Sequence, residues 1–274
     1  MSSVSSKRPA LARPSFDLDY SIHDFQPEMH RDSQFYFQRI PEVVAREGAL
    51  EGGRVLDVAC GVGEVAAQLR QKGSEAWGLD PSMEMLGLSR WLFPDSDIVL
   101  VRGIAEALPF RDGSFDRVIC QGSLDHFVDP HAFMREAARI VKPSGSVIVA
   151  LANYESLSCH LGRLLSRLAS DLLHGPKQDE RPYWRPPPDH YHKGELSFVR
   201  QLGDNSLRLK SCYGISLLWL LRGWDDWCWG EWLDERPRPF AEAILTTLDR
   251  IAYRTPAMAD MIISVWRPRK RESS

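Results

Sequence analysis

The sequence predicts an α/β protein built on a doubly wound parallel sheet flanked by helices, and three observations carry that expectation. Residues 55 to 69, VLDVACGVGEVAAQL, read as an apolar strand, a glycine turn and a helix. WGLDPS at residues 77 to 82 reads as a second short strand closed by an acid. Strand and helix patterns then alternate up to residue 152, as a parallel sheet requires.

Each element has its own signal. Residues 30 to 47 hold Phe35, Phe37, Ile40, Val43 and Val44 at roughly helical spacing, interrupted by Pro41, which predicts one or two helices before the first strand. Strands are expected near 54 to 59, 76 to 80, 98 to 102, 116 to 121 and 146 to 152. Helices fit 63 to 72, 82 to 92 and 130 to 141, the first capped by the glycine turn and the second opened by Pro81 and Ser82. Pro143 and Gly145 mark a turn before the fifth strand.

Past residue 152 the regular alternation breaks. Residues 154 to 174 form an amphipathic helical stretch, and 175 to 193 a proline-rich loop. ELSFVRQL reads as a helix and LRLKSCYGI as a strand. ISLLWLLRGWDDWCWGEWL and FAEAILTTLDRIAY read as two helices before MADMIISVWRP closes as the final strand. The connection between the last two strands, about residues 214 to 258, is far longer than a hairpin and is expected to be a helical cap over the active site.

In such a sheet a ligand sits at the carboxyl ends of the strands, and a glycine turn followed by a strand-ending acid suits an adenosine derivative. Gly61, Gly63 and Ala66 also satisfy a short dinucleotide pattern. Asp57 argues against that reading, because it lies inside the apolar run Val55, Leu56, Val58 and Ala59, where an uncompensated carboxylate costs on the order of several kcal/mol. A cation must meet it. The α-amino group of S-adenosylmethionine supplies one indirectly, whereas NAD places an anionic pyrophosphate at the same turn. Asp80 ends the next strand, where an acid accepts hydrogen bonds from both ribose hydroxyls of either cofactor.

From about Val55 to Leu151 the chain resembles the class I S-adenosylmethionine-dependent methyltransferases, in the branch of small-molecule and ubiquinone/menaquinone-type enzymes. VLDVACGVGE is similar to the family's glycine-rich motif and GLDPSMEML to its ribose motif. RGIAEALPFRDGSFDRVICQGSLDHFVDP resembles the adenine loop, the fourth strand and the loop after it, and ARIVKPSGSVIVAL the passage into the fifth strand. The resemblance implies a Rossmann-like, seven-stranded sheet ending in an antiparallel pair, which further disfavours an NAD-dependent oxidoreductase. It also implies S-adenosyl-L-methionine as cofactor. Asp57, Ala59, Gly61 and Gly63 then match the methionine end, Asp80 the ribose hydroxyls, and Pro81 and Met85 the flanks of ribose and adenine. Ile104 and Ala105 match the adenine loop, and Gln121 the start of the site after strand four. Ile104 departs from the pattern, since many relatives carry there an acid that accepts from the adenine amino group. Glu106 is a candidate substitute, and an equal candidate for capping the loop.

Composition narrows the remaining classes. With 274 residues and 43% apolar content, the chain suits one domain with an elaborated cap. Residues 1–28 are expected as a disordered or extended arm and 29–152 as the cofactor-binding core with its N-terminal helices. Residues 153–267 should form the substrate cap and closing strands of the same domain, with 268–274 as a tail. A net charge of −3 gives no reason to expect nucleic acid. The short basic tail reads as a solvated terminus. Cysteines at 60, 120, 159, 212 and 228 form no C-x-x-C pair, so neither a zinc site nor a disulfide framework is expected, and a cytoplasmic setting is. No metal is expected. No apolar run approaches the roughly 20 residues that span a bilayer.

The acceptor side is less sharply drawn. Tyr36 lines a pocket or packs in the core. Five of nine tryptophans, at 219, 224, 227, 229 and 232, fall in the expected cap, with Trp224 and Trp227 as candidate walls for an aromatic or lipid-like acceptor. Packing on the sheet and a homodimer interface are the competing readings of that segment. His190 and His192, with Tyr191, are candidates for a base and substrate contact on the loop leading to the cap, and His126 after strand four is a secondary candidate. The resulting expectation is methyl transfer to a small or medium organic acceptor, at oxygen, in specialised metabolism. Carbon methylation of a lipid-like quinone precursor is the alternative, followed by a non-catalytic binding or partner protein that keeps the fold.

Overall fold

The computed structural model describes residues 31–170, 192, 194–203, 206–218 and 235–269. Seven strands form one sheet in the order β3-β2-β1-β4-β5-β7-β6. They are β1 (Arg54–Val58), β2 (Glu75–Asp80), β3 (Val99–Arg102), β4 (Phe115–Gln121), β5 (Val141–Ala152), β6 (Leu207–Ile215) and β7 (Met261–Pro268). The first five run parallel, and β7 pairs antiparallel with both β5 and β6. This is the Rossmann-like sheet with a final antiparallel pair that the sequence predicts. The order reverses between β1 and β4, so the crevice for a ligand opens at the carboxyl ends of these two strands.

Helices cover both faces. The helices are α1 (Arg31–Gly48), α2 (Glu64–Gln71), α3 (Met83–Leu92), α4 (Pro130–Ile140), α5 (Leu157–Ser170), α6 (Leu196–Gln201) and α7 (Arg238–Arg254). One core layer joins Leu56, Val58, Val118, Val147 and Trp266 of the sheet to Phe133 and Met134 of α4 and Val199 of α6. The other joins Val55, Ile119, Ile148 and Ile263 to Tyr36, Ile40 and Val44 of α1, Leu69 of α2, and Leu245 of α7. Alternate residues of each strand supply opposite layers, as the pleat dictates.

Three elements take a definite form. Pro41 does not divide the N-terminal segment, because α1 runs unbroken across it. A proline inside a helix costs about 3 kcal/mol. Burial of Tyr36, Ile40, Val43 and Val44, at about 1.5–3 kcal/mol each, outweighs it. Second, Pro143 and Gly145 lie inside β5, in an irregularity where Phe115 pairs with Val141 but Arg117 pairs with Ser146. Lys142 fixes this bulge by binding both oxygens of Asp116, at 2.9 and 2.8 Å. Third, α7, the described helix of the expected 214–258 cap, lies on the sheet face with Ala241 and Leu245 in the second core layer. The expected arm 1–28 and most of the tail 268–274 fall outside the described residues, as do residues 219–234.

The closing strands are tied together by buried polar groups. Asn153, just past β5, donates from Nδ2 to the carbonyls of Ala257 and Ala259, at 3.1 and 2.9 Å. Asp260 Oδ2 accepts from Ser216 Oγ at 2.9 Å, and Asp249 of α7 accepts from Ser216 N at 3.2 Å and from Arg39 Nε of α1 at 3.2 Å. This chain of bonds fixes the ends of β5, β6 and β7 that border the crevice.

Candidate functional site

The crevice is built by the turn that follows β1. Ala59 and Gly61 both have positive φ, 56° and 51°, and Gly63 caps α2 with φ 80°. Only glycine adopts such angles without strain, so Ala59 stores about 1 kcal/mol or more in the turn. A Cβ at Gly63 would also collide with Ser89 Oγ of α3. A Cβ at Gly61 would meet nothing within 4 Å, and the same holds at Gly122 after β4. The two glycines therefore flank a cradle that a ligand can approach at backbone level.

Asp80 organises the turn from the next strand. Its Oδ2 accepts from Gly61 N at 2.8 Å and its Oδ1 from Ser82 N at 2.9 Å, while Ser82 Oγ caps α3 by accepting from Met85 N at 3.3 Å. Each carboxylate oxygen retains a lone pair, enough for a diol on the open side. Burial pushes the Asp80 carboxyl above its ordinary range, opposed by these two N–H donors.

Asp57 is 2% exposed near the end of β1. Burial foremost, then the nearby Asp80 charge, pushes its carboxyl up to about 8, with a hydrogen bond from the Ala66 backbone acting in the opposite sense. Two acids so placed attract a cation. Across the strand pair, Gln121 ends β4, and its Oε1 is buried without a hydrogen-bond partner among the described residues. Ser123 Oγ lies 3.2 Å from the Gln121 carbonyl and 3.5 Å from that of Ala59, so this hydroxyl links the loop after β4 to the turn after β1.

The loop after β3 supplies an apolar edge. Gly103 N donates to the Asp80 carbonyl at 3.2 Å, and Ile104 bridges to Ala107. Ile104 is 42% exposed, whereas Ala105 turns into the core and Met85 is buried. Pro81 is half-buried, and its carbonyl accepts from Arg102 Nε at 3.0 Å. Glu106 is half-buried, with its carboxyl raised by burial. The topology thus brings Asp57, Ala59, Gly61, Gly63, Asp80, Pro81, Ile104 and Gln121 to one margin of the sheet.

The acceptor-side candidates are scattered by comparison. Tyr36 is fully buried in the α1 layer, edge-on to Phe35 at 5.1 Å. His126 is half-buried on a 3₁₀ turn, Leu124–His126. His192 stacks on Phe198 of α6 with ring centroids 4.8 Å apart, and its Nε2 is buried without a hydrogen-bond partner among the described residues. His190, Tyr191, Trp224 and Trp227 lie outside the described residues. Sequence reasoning passed over Ser89, whose hydroxyl enforces glycine at 63, and Asn153. Neither has a signature apart from its tertiary neighbours.

No group of three or more His, Cys, Asp and Glu side chains among the described residues is arranged to hold a metal ion. No described helix is long and apolar enough to cross a membrane.

The family model described as a methyltransferase domain matches residues 56–149. Over 150 residues the chain is 34% identical to a ubiquinone biosynthesis O-methyltransferase of Sodalis glossinidius, covering 54% of this chain and 57% of that protein. Over 108 residues it is 39% identical to a demethylmenaquinone methyltransferase of Renibacterium salmoninarum, covering 39% of this chain and 45% of that one. The match thus spans about half the length of these curated relatives. Among solved structures, the PH0226 protein of Pyrococcus horikoshii shares the fold, with a TM-score of 0.55 at 21% identity, over 90% of this chain and 98% of that one.

Proposed function

We propose that this chain, which is similar through residues 56–149 to a methyltransferase domain, is a class I S-adenosylmethionine-dependent methyltransferase that transfers a methyl group to a small or medium organic acceptor, at oxygen. The observation that carries this reading is the pair Asp57 and Asp80 around the glycine turn: two buried acids beside a cradle open to a ligand. That charge suits a cationic amino-acid end and a ribose, and opposes a pyrophosphate.

The residues present fit the cofactor. Asp57 and the unpartnered Gln121 Oε1 would receive the ammonium end, directly or through water. Asp80 would accept from the ribose diol, already oriented by Gly61 and Ser82. Ile104 offers an exposed apolar face to the adenine, and selectivity for its amino group then falls to backbone carbonyls. When bound, S-adenosylmethionine supplies an activated methyl on a sulfonium.

The acceptor hydroxyl would give up its proton to a base as its oxygen takes the methyl group that the bound cofactor would supply. The chain's task is to align that oxygen and exclude water. His126, on the turn after β4, is the described histidine nearest in sequence to the cofactor margin, and His190 and His192 are the further candidates for the base. Trp224 and Trp227 are candidate walls for an aromatic or lipid-like acceptor. A second reading, carbon methylation of a quinone precursor, is favoured by the demethylmenaquinone methyltransferase among the relatives.

The test is incubation of the full chain with methyl-labelled S-adenosylmethionine and a panel of catechols, phenols and quinols, with products read by mass spectrometry. A methyl ether supports transfer to oxygen, and a ring-methylated product supports the second reading. Tight cofactor binding with no product across the panel would favour a binding protein that kept the fold.

A further inference from the structure

The margin of the sheet opposite the cofactor crevice carries a row of arginines that make no side-chain ion pair among the described residues. Arg117 at the start of β4 pairs in register with Ser146 of β5. Val147 pairs with Trp266 in the antiparallel β5–β7 ladder, which brings Ser146 level with Arg267, and Arg267 pairs in turn with Arg208 of β6. Residues in register across a sheet project from the same face. The neighbours confirm the side: Leu207, Val118, Val147 and Trp266 all pack in the first core layer, so Arg117, Ser146, Arg267 and Arg208 face the other way.

At about 5 Å per strand, Arg267 and Arg208 lie side by side and Arg117 about two strands further on. Like charges directly opposite each other repel and destabilise a sheet. The Asp116 charge offsets the repulsion only at Arg117, which also feels the charge of Arg267. No ion pair involves Arg117, Arg208 or Arg267, and Arg117 only donates to its neighbour's carbonyl, that of Asp116, at 2.9 Å. The Asp116 carboxylate is committed to Lys142 and to the Arg54 backbone. Arg269 adds a fourth cation just past β7, where it reaches the Leu207 carbonyl at 3.4 Å. In a chain of net charge −3, this concentration runs against the overall balance.

We propose that Arg117, Arg267 and Arg208 form a binding site for a multivalent oxyanion of phosphate type, on the margin opposite the methyl-transfer crevice. Guanidinium groups suit this role because their planar donors bind phosphate oxygens in pairs. The ligand is a free phosphate or pyrophosphate group, or the same group on a lipid.

The experiment titrates pyrophosphate into the full chain at constant ionic strength, with chloride as reference, and follows thermal unfolding together with phosphorus NMR linewidth. The wild type should bind, and Arg267→Gln and Arg208→Gln should each weaken binding by about tenfold. Each substitution should leave S-adenosylhomocysteine affinity unchanged and should raise, or leave level, the Tm of the free protein, because a repulsion is relieved. Equal pyrophosphate responses in wild type and variants, or no response in either, would overturn the site. A lower Tm in both free variants would assign the arginines a structural role and would also overturn it. Sedimentation with phosphatidylglycerol vesicles separates the two sources: arginine-dependent pelleting identifies a lipid headgroup, and its absence alongside pyrophosphate binding identifies a soluble ligand.

Discussion

The backbone N–H of Gly61 donates to Asp80 Oδ2 at 2.8 Å, so the acid that ends β2 holds the turn that follows β1. Ser82 N donates to the other oxygen at 2.9 Å and places the first turn of α3 on the same carboxylate. One side chain thereby shapes the cradle and keeps lone pairs turned toward a ligand.

Asp80→Ala should remove both effects at once. Loss of two charge-assisted bonds, at about 1.5–3 kcal/mol for each bond to a charged group, predicts a fall in S-adenosylhomocysteine affinity of at least about tenfold. Calorimetric titration of wild type and variant measures it. Asp80→Asn should lose less, because the amide oxygen still accepts one of the two N–H groups.

Gly63→Ala tests the turn from its other end. The residue needs φ 80° and its added methyl would strike Ser89 Oγ, so destabilisation of about 2 kcal/mol or more is expected in urea unfolding. Adding Ser89→Gly should recover the steric part and leave the backbone strain of about 1 kcal/mol.

Asp57 gives the pH dependence. Its carboxyl is pushed up to about 8 in the folded chain by burial and by Asp80, from an ordinary value of 3.8. Between those values the folded state holds a proton that the unfolded state has released, so this group lowers stability progressively as pH rises through the window. A cationic ligand favours the ionised form. Below about pH 8, binding should therefore release a proton and tighten as pH rises. Asp57→Asn should flatten both trends, measured by calorimetry in buffers of differing ionisation enthalpy.

Asn153→Ala should loosen the far wall of the crevice. Its side-chain amide holds the carbonyls of Ala257 and Ala259, and its removal leaves these two acceptors without that donor. A loss of about 2–3 kcal/mol is expected, read as a lower urea midpoint at unchanged slope.

Much of this was legible in the sequence, for identifiable reasons. The strands from β1 to β4 and the helices between them have strong periodicity and local punctuation: Ser82 caps α3, and Asp129 caps α4 by accepting from Ala132 N at 2.9 Å. That Asp57, Gly61, Gly63 and Asp80 share one margin was legible because chain order and strand ends alone bring them together. What escaped depends on partners distant in sequence. Pro41 is tolerated because a core layer holds α1 on both sides of it. The length of β5 depends on Lys142 meeting Asp116. The place of α7 is set by Tyr213, Ile215 and Ile263 rather than by its own pattern. Tyr36 illustrates the ambiguity: helical spacing marks its face as apolar, and only packing shows that it is fully buried.

The most direct test of the central claim is calorimetric titration of the full chain with S-adenosylhomocysteine and, separately, with NAD, repeated on Asp57→Asn. The account predicts micromolar binding of the adenosyl-sulfur ligand, no binding of NAD, and a marked loss in the variant. Binding of NAD, or S-adenosylhomocysteine affinity unchanged in Asp57→Asn, would contradict it.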